Sequence, residues 1–248
     1  MFEKINLSIS EITTETLRNY LADYKSSSNA GMVTIDNMRR VLSSFFAWLE
    51  NEDYIVKSPI RRIHKVKATK KVKETLTDEN LEELRDTCSN VRDLAILELL
   101  ISTGMRVGEL TKLNISDMNF QERSCIVLGQ GNSEREVYFS AKSKMYIKKC
   151  LETRTDDNEA LFVSLIKPYN RLGISGVEIL IRNLGREANI NKVHPHKFRR
   201  TMATKAIDKG MSIEQVQKLL GHIKIDTTME YAMVNQNNVK NSPRKYIT

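Results

Sequence analysis

Apolar residues recur at helical spacing over most of the chain and alternate at strand spacing only briefly. Over residues 10–25, Ile12, Leu17, Leu21 and Tyr24 fall near one face, with Ser10 or Thr13 placed to cap the helix they predict. The turn-like stretch SSSNAG precedes a longer predicted helix, residues 34–50. Its Ile35, Met38, Val41, Leu42, Phe45, Trp48 and Leu49 form a wide apolar stripe. Trp48 and the phenylalanines are expected to fill a core rather than to stack on bases. The chain up to about Ile60 thus reads as a small all-helical domain.

A second organisation begins near residue 75. Thr77 can cap a helix whose first turn holds Asp78 and Glu79, where the helix dipole favours negative charge. Residues 91–103 carry Leu94, Ile96, Leu97, Leu100 and Ile101 and predict a buried helix, ended by Gly104 in a left-handed C-cap. Arg106 then opens a short helix, with Glu109 one turn later on the same side. The β-rich runs SCIVL and REVYF, separated by GQGNSE, predict a hairpin within residues 124–140. Helices follow at about 141–153, 176–189, 198–209 and 212–220. The last opens on a capping box, Ser212 with Gln215, and closes at Gly221. The expected fold class is mainly α with a small β-sheet, the second half being an α+β domain.

At 248 residues the chain can bury two separate cores. Between the two patterns lies KSPIRRIHKVKATKKVK, residues 57–73, which has Pro59 and many cations but no acidic residue. Such a run reads as a solvated, flexible tether. The expected boundaries are therefore a helical domain at 1–60, a basic linker at 61–73 and a larger domain at 74–248. The formal charge of +8 points to a polyanionic partner. Arg61, Arg62, Lys65, Lys67, Lys70, Lys71 and Lys73, with Arg200 further on, are candidates to lie along a phosphate backbone. Each one that meets a phosphate releases a condensed counterion, so affinity should fall steeply with salt.

Three scattered cysteines form no CxxC pair and read as buried or incidental thiols of a reducing compartment. The start, MFEKINLSIS, lacks the apolar core of a signal peptide. The most apolar run, LAILELLIS, is short and broken by Glu98. A cytoplasmic protein with no membrane partner is expected.

The chemistry concentrates near the end of the chain, in HPHKFRR (194–200), LLGH (219–222) and MEYA with Tyr231. A phosphodiester resists attack because its charge repels nucleophiles and its transition state gathers more charge on the equatorial oxygens. Two guanidinium groups can each grip those oxygens in bidentate fashion and stay protonated at any working pH. Arg106 and Arg199 are the candidates for that clamp. His196 lies one helical turn before Arg199 and can take a phenolic proton or support the same oxygens. His222 can donate to a phosphoryl oxygen. Tyr231 is the candidate nucleophile; with a free pKa of about 10 it needs a base or a strongly positive surrounding. His194, His196 and His222 could be read as metal ligands, but no Cys or carboxylate completes a known spacing, so no metal is expected.

The series Arg106, His196-Lys-Phe-Arg199, Leu-Gly-His222 and Tyr231 resembles the signature of the tyrosine recombinase (phage integrase) family, particularly its Xer-like two-domain members. The likeness runs from about residue 8 to the end. It implies a helical core-binding (SAM-like) domain and a catalytic domain closing on duplex DNA as a C-shaped clamp. The implied reaction is cleavage and rejoining through a 3′-phosphotyrosine and a free 5′-hydroxyl, with neither ATP nor any other cofactor and no small-molecule substrate. The resemblance also implies four protomers on paired sites, linked through the tail after Tyr231, although Pro243 interrupts a long helix there. Glu109 matches an acidic position that orders the arginine pocket.

One position departs from the family pattern. A lysine in the hairpin turn protonates the leaving 5′-oxygen in the family; here the aligned stretch is Gly129-Gln130-Gly131. Glutamine cannot deliver a proton, and Arg135, the one cation of the hairpin, holds its own too tightly. Loss of a general acid costs on the order of 10²–10⁴ in rate, so a weak or stalled enzyme is expected. Two other readings share these residues. One is a DNA-binding architectural or regulatory protein that has lost catalysis, favoured by Gln130; the other is a type IB topoisomerase acting as a monomer. No extra arm-binding domain is seen ahead of residue 8, which fits a Xer-like or inversion-type enzyme of a mobile element, or a shortened chain.

Overall fold

Thr13 accepts a hydrogen bond from the Thr16 backbone N–H at 3.2 Å and so starts α1 (Thr14–Ser28). Asn29, in the left-handed region, ends it, and α2 (Met32–Asn51) follows. The computed structural model that shows these elements describes residues 7–65, 74–129, 134–221 and 228–229. It divides into two compact units, Met1–Lys71 and Val72–Thr248.

In the first unit Leu17 and Leu21 of α1 meet Ile35, Leu42, Phe46 and Leu49 of α2 in one core. The expectation that Trp48 is a core residue is corrected: it is 50% exposed, and Val41 is 69% exposed. The sequence stripe was wider than one neighbouring helix can cover. Leu42, Phe46 and Leu49 form the line at i, i+4, i+7 that faces α1. Val41, Phe45 and Trp48 form the same line one residue, about 100°, away. Trp48 instead lies against Tyr54 and Phe45, with ring centroids 5.7 and 6.3 Å apart. The start of the basic stretch is not a free tether either. Pro59–Arg62 forms a 3-10 helix whose Ile60 is 3% exposed in this core, and the Thr14 hydroxyl donates to the Pro59 carbonyl at 2.6 Å. Burying Ile60 anchors the segment and leaves Arg61, Arg62 and Lys65 exposed.

The second unit is built around α4 (Val91–Thr103), which follows α3 (Asp78–Asp86). Ala95, Ile96, Leu97, Leu99 and Leu100 are all fully buried, as expected of a helix that is apolar nearly all round. Glu98, on the same helix, is 2% exposed, and its carboxylate accepts from Arg85 Nε at 2.5 Å. Gly104 ends α4 at φ +58, and α5 (Val107–Leu110) begins three residues on. The hairpin is present as β2 (Ser124–Leu128) and β3 (Glu134–Tyr138), antiparallel with Ser124 opposite Tyr138 and Leu128 opposite Glu134. A short β1 (Met118–Asn119) adds a third strand in the order β1-β2-β3. Two residues are too few to show any period, so the sequence pattern held no sign of it.

Helices α6 (Ala141–Glu152), α7 (Ile174–Glu187), α8 (Pro195–Asp208) and α9 (Ile213–Leu220) complete the unit. α6 and α8 both pack on α4. α8 starts earlier than the apolar pattern predicted because Pro195 suits the first helical turn, where its missing N–H costs nothing. Ser212 caps α9 and accepts from the Gln215 N–H at 3.3 Å. Met202 and Ala203 of α8 and Val216 and Leu220 of α9 form a small core of their own. No helix among the described residues is long and apolar enough to cross a membrane. Cys125 and Cys150 are buried and Cys88 half-buried, all three as free thiols. Burial pushes the Cys88 and Cys125 thiols up to about 12, so neither is a nucleophile at neutral pH.

Candidate catalytic site

Three arginines from three different elements converge on the end of α9. Arg106 is the N-cap of α5, placed there by the turn at Gly104. Arg135 comes from β3 and Arg199 from the second turn of α8. The last turn of α9 carries carbonyls with no partner inside the helix and the negative end of its dipole. Each of three successive carbonyls takes a different arginine: Leu219 O from Arg135 Nε at 3.1 Å, Leu220 O from Arg199 Nη2 at 2.5 Å, and Gly221 O from Arg106 Nη2 at 3.4 Å. Arg199 Nη1 also donates to the Gly104 carbonyl at 2.8 Å, tying the end of α4 to the end of α9.

Glu109 lies among these cations and is 4% exposed. One carboxylate oxygen, Oε2, accepts from the Arg106 backbone N–H at 2.7 Å, the reach-back that stabilises a short helix start. The other, Oε1, accepts from Arg106 Nη1 at 3.0 Å. Arg135 grips both oxygens at once, Nη1 to Oε1 at 2.8 Å and Nη2 to Oε2 at 2.7 Å. Burial alone would raise this carboxyl. The Arg135 hydrogen bonds, the Arg106 N–H and the Arg135 charge outweigh it and hold Glu109 below the usual carboxylate range. It is therefore ionised, and the three arginines still leave the cluster with positive charge in excess.

Gly221 stands where the chain leaves α9, at φ +63. A Cβ there would lie 2.9 Å from Arg135 Cδ and 3.0 Å from its Nη1, so any larger residue would push the arginine back from where it now sits.

Of the residues singled out in the sequence, Arg106, Glu109 and Arg199 are brought together. Arg199 is 2% exposed and Arg106, at 31% for its side chain, is the more open of the two. His196 is on α8 one turn from Arg199, as the spacing predicted, and is exposed. Arg200 donates from Nη1 to the Glu74 carbonyl at 2.8 Å, so one of its donors holds the start of the unit. Lys205 pairs with Asp78 close by. Gln130, His222, Tyr231, Lys67, Lys70, Lys71 and Lys73 lie outside the described residues, as does the tail beyond Tyr231.

Arg135 is the member that sequence reasoning missed, having considered it only as a proton donor. A signal was present. Val137 faces the core, and period 2 puts Arg135 on the same face of β3. An arginine on a core face needs a buried carboxylate, and Glu109 is that carboxylate.

Comparison with known proteins shows the family. The profile described as the phage integrase family matches residues 74–238. Tyrosine recombinase XerC of Staphylococcus aureus strain USA300 / TCH1516 is 29% identical over 249 residues, covering 96% of this chain and 82% of that protein. XerC of S. aureus strain JH9 is 30% identical over 247 residues, with the same coverage. Among solved structures, XerA recombinase aligns with 99% of this chain and 87% of its own at 26% identity, with a TM-score of 0.63. Two DNA complexes share the fold at lower identity. The Tn1549 transposon integrase with circular intermediate DNA has a TM-score of 0.77 at 19% identity, covering 95% of this chain and 86% of that one. XerH bound to a palindromic difH substrate has 0.77 at 20%, covering 97% and 74%. The chain belongs to the phage integrase family, as a Xer-like tyrosine recombinase of the kind that carries out site-specific DNA recombination.

Proposed function

We propose that the chain cuts and rejoins duplex DNA through a 3′-phosphotyrosine on Tyr231, with Arg106 and Arg199 holding the scissile phosphate and His196 and His222 beside it. One observation carries the reading. Two arginines distant in sequence are held on adjacent carbonyls, Gly221 and Leu220, at the point where the chain runs on into His222. Arg199 is held by two backbone carbonyls and Arg106 by Gly221 O together with the Glu109 carboxylate before any DNA arrives, so little ordering cost is left for the moment of reaction.

In the proposed step the Tyr231 oxygen forms a bond to phosphorus and the bond to the 5′-oxygen breaks. The phenolic proton passes to a base, for which His196 is the candidate, and the 5′-oxygen takes one from water to leave as a hydroxyl. The two arginines meet the charge that grows on the equatorial oxygens. Because the ester keeps the energy of the bond it replaced, a 5′-hydroxyl reverses the step without ATP or metal. Gln130 stands where the family's leaving-group acid is expected and cannot serve, so departure of the 5′-oxygen is the slow event. Glu109 orders the arginines. Arg61, Arg62, Lys65, Lys67, Lys70, Lys71 and Lys73 follow the phosphate backbone, as a basic stretch without acidic residues supports. The DNA-bound structures of the Tn1549 integrase and XerH support duplex DNA as the partner. Assembly is proposed as a tetramer joined through the tail.

The test uses a leaving group that needs no acid. Duplexes bound by the protein are first selected from a random-sequence pool. The bridging 5′-oxygen is then replaced by sulfur at each phosphate of the bound site in turn. The expected result is a covalent protein–DNA adduct at one position, lost in Tyr231→Phe while binding persists. Binding without adduct at every position would instead make this a DNA-binding architectural protein, the reading Gln130 favours.

A further inference from the structure

We infer that Arg135 is a positioning residue for the phosphate clamp: by binding both oxygens of Glu109 it keeps that carboxylate from neutralising Arg106. The inference rests on the reading of Arg106 and Arg199 as the groups that hold the phosphate.

Glu109 is a buried anion within hydrogen-bond reach of Arg106. Left alone, a carboxylate beside a single guanidinium forms the paired, two-bond arrangement that suits both groups best. Arg106 would then carry no surplus charge, and its donors would turn away from the long 3.4 Å contact with Gly221 O. Arg135 prevents this. Its bonds to Glu109, 2.7 and 2.8 Å, are shorter than the 3.0 Å bond from the Arg106 guanidinium. Its remaining edge is pinned through Nε to Leu219 O. The guanidinium is planar and rigid, so fixing that edge also fixes where the carboxylate lies. Arg135 is also the less exposed of the two, at 12% against 31% for the side chains. It sits behind Glu109, while Arg106 stays at the accessible side. The division of labour is one cation spent on the carboxylate and two kept for a phosphate.

A purely structural role would give Arg135 the same contacts, so the test must separate charge from packing. Four variants are made: Arg135→Met, Arg135→Lys, Glu109→Gln, and the double Arg135→Met/Glu109→Gln. Each is checked for folding by thermal denaturation. Two readouts follow, calorimetric affinity for inorganic vanadate, a mimic of phosphorus under attack, and the rate of adduct formation on the sulfur-bridged duplex under single turnover. Arg135→Met should lose about ten-fold or more in both. Arg135→Lys, which keeps the charge without the fork, should recover part of that loss.

The decisive variant is the double. Removing the Glu109 charge should return it to within about three-fold of Glu109→Gln alone, a coupling that independent sites do not show. If its loss is instead the product of the two single losses, Arg135 is only a structural brace and the inference is overturned. Absence of vanadate binding by the wild-type protein would overturn it as well. Should Arg135→Met not fold, the same decision is read from Arg135→Lys against Arg135→Lys/Glu109→Gln. The readouts also separate the two proposals. Vanadate coupling without any Tyr231-dependent adduct would sink the proposed reaction and leave this inference standing. Adducts without coupling would do the reverse.

Discussion

Replacing Gly221 with alanine should cost about twice as much as replacing Gly104, although both glycines end a helix in the left-handed region, at φ +63 and +58. Backbone strain is the same for each, about 1–2 kcal/mol for a residue with a Cβ. What differs is the neighbour. At Gly104 the new methyl meets the terminal Cε of Met202 at 2.6 Å, and a thioether chain can swing aside. At Gly221 it meets Arg135 Cδ at 2.9 Å, and that side chain is held at Leu219 O and at both oxygens of Glu109. Ordinary carbon contact begins near 3.5 Å, so Arg135 must retreat by about 0.6 Å. The retreat weakens charge-assisted bonds worth about 1.5–3 kcal/mol each. Gly221→Ala should therefore destabilise by about 2–4 kcal/mol and Gly104→Ala by about 1–2. In a unit of this size that is roughly a 4–16 °C fall in Tm against roughly 2–8 °C.

Urea denaturation followed by circular dichroism measures both. In an Arg135→Met background the extra cost of Gly221→Ala should vanish and leave the strain alone, because methionine is not tied down. If Gly221→Ala costs the same in both backgrounds, the contact with Arg135 is not what makes glycine necessary there, and the reasoning fails.

Two further outcomes follow from the same cluster. The Glu109 carboxyl is held below the usual range in the folded protein, so its contribution to stability is full above the unfolded value near pH 4.3 and is lost as pH falls through the lower folded value. Urea midpoints taken from neutral pH down to about pH 3 should fall less steeply for Glu109→Gln than for the wild type, and parallel curves would refute this. Gln130→Lys should raise cleavage of ordinary DNA by on the order of 10²–10⁴ while leaving the sulfur-bridged duplex unchanged; equal rates on ordinary DNA would show that this glutamine is not at the acid position.

Local features were readable from the chain alone. The helix Val91–Thr103 has the ends its apolar run and Gly104 predict, and the Ser212–Gln215 box and Gly221 bound the last described long helix. Caps, left-handed glycines and apolar period are set by residues within a turn of one another, so no tertiary information is needed to see them. The residue types suited to a phosphate were equally legible, since a guanidinium carries its charge and fork wherever it sits. Four outcomes were not. Whether Trp48 is covered depends on how much of α2 a single neighbour can reach, and whether Ile60 is tethered or seated depends on a core made by other segments. That Arg135 belongs with Glu109, and that Leu219, Leu220 and Gly221 each receive a different arginine, depends on strands and helices far apart in sequence being folded onto one helix end. A side chain brings its chemistry with it, but its partner is chosen by the packing of apolar faces that meet only once the chain has closed.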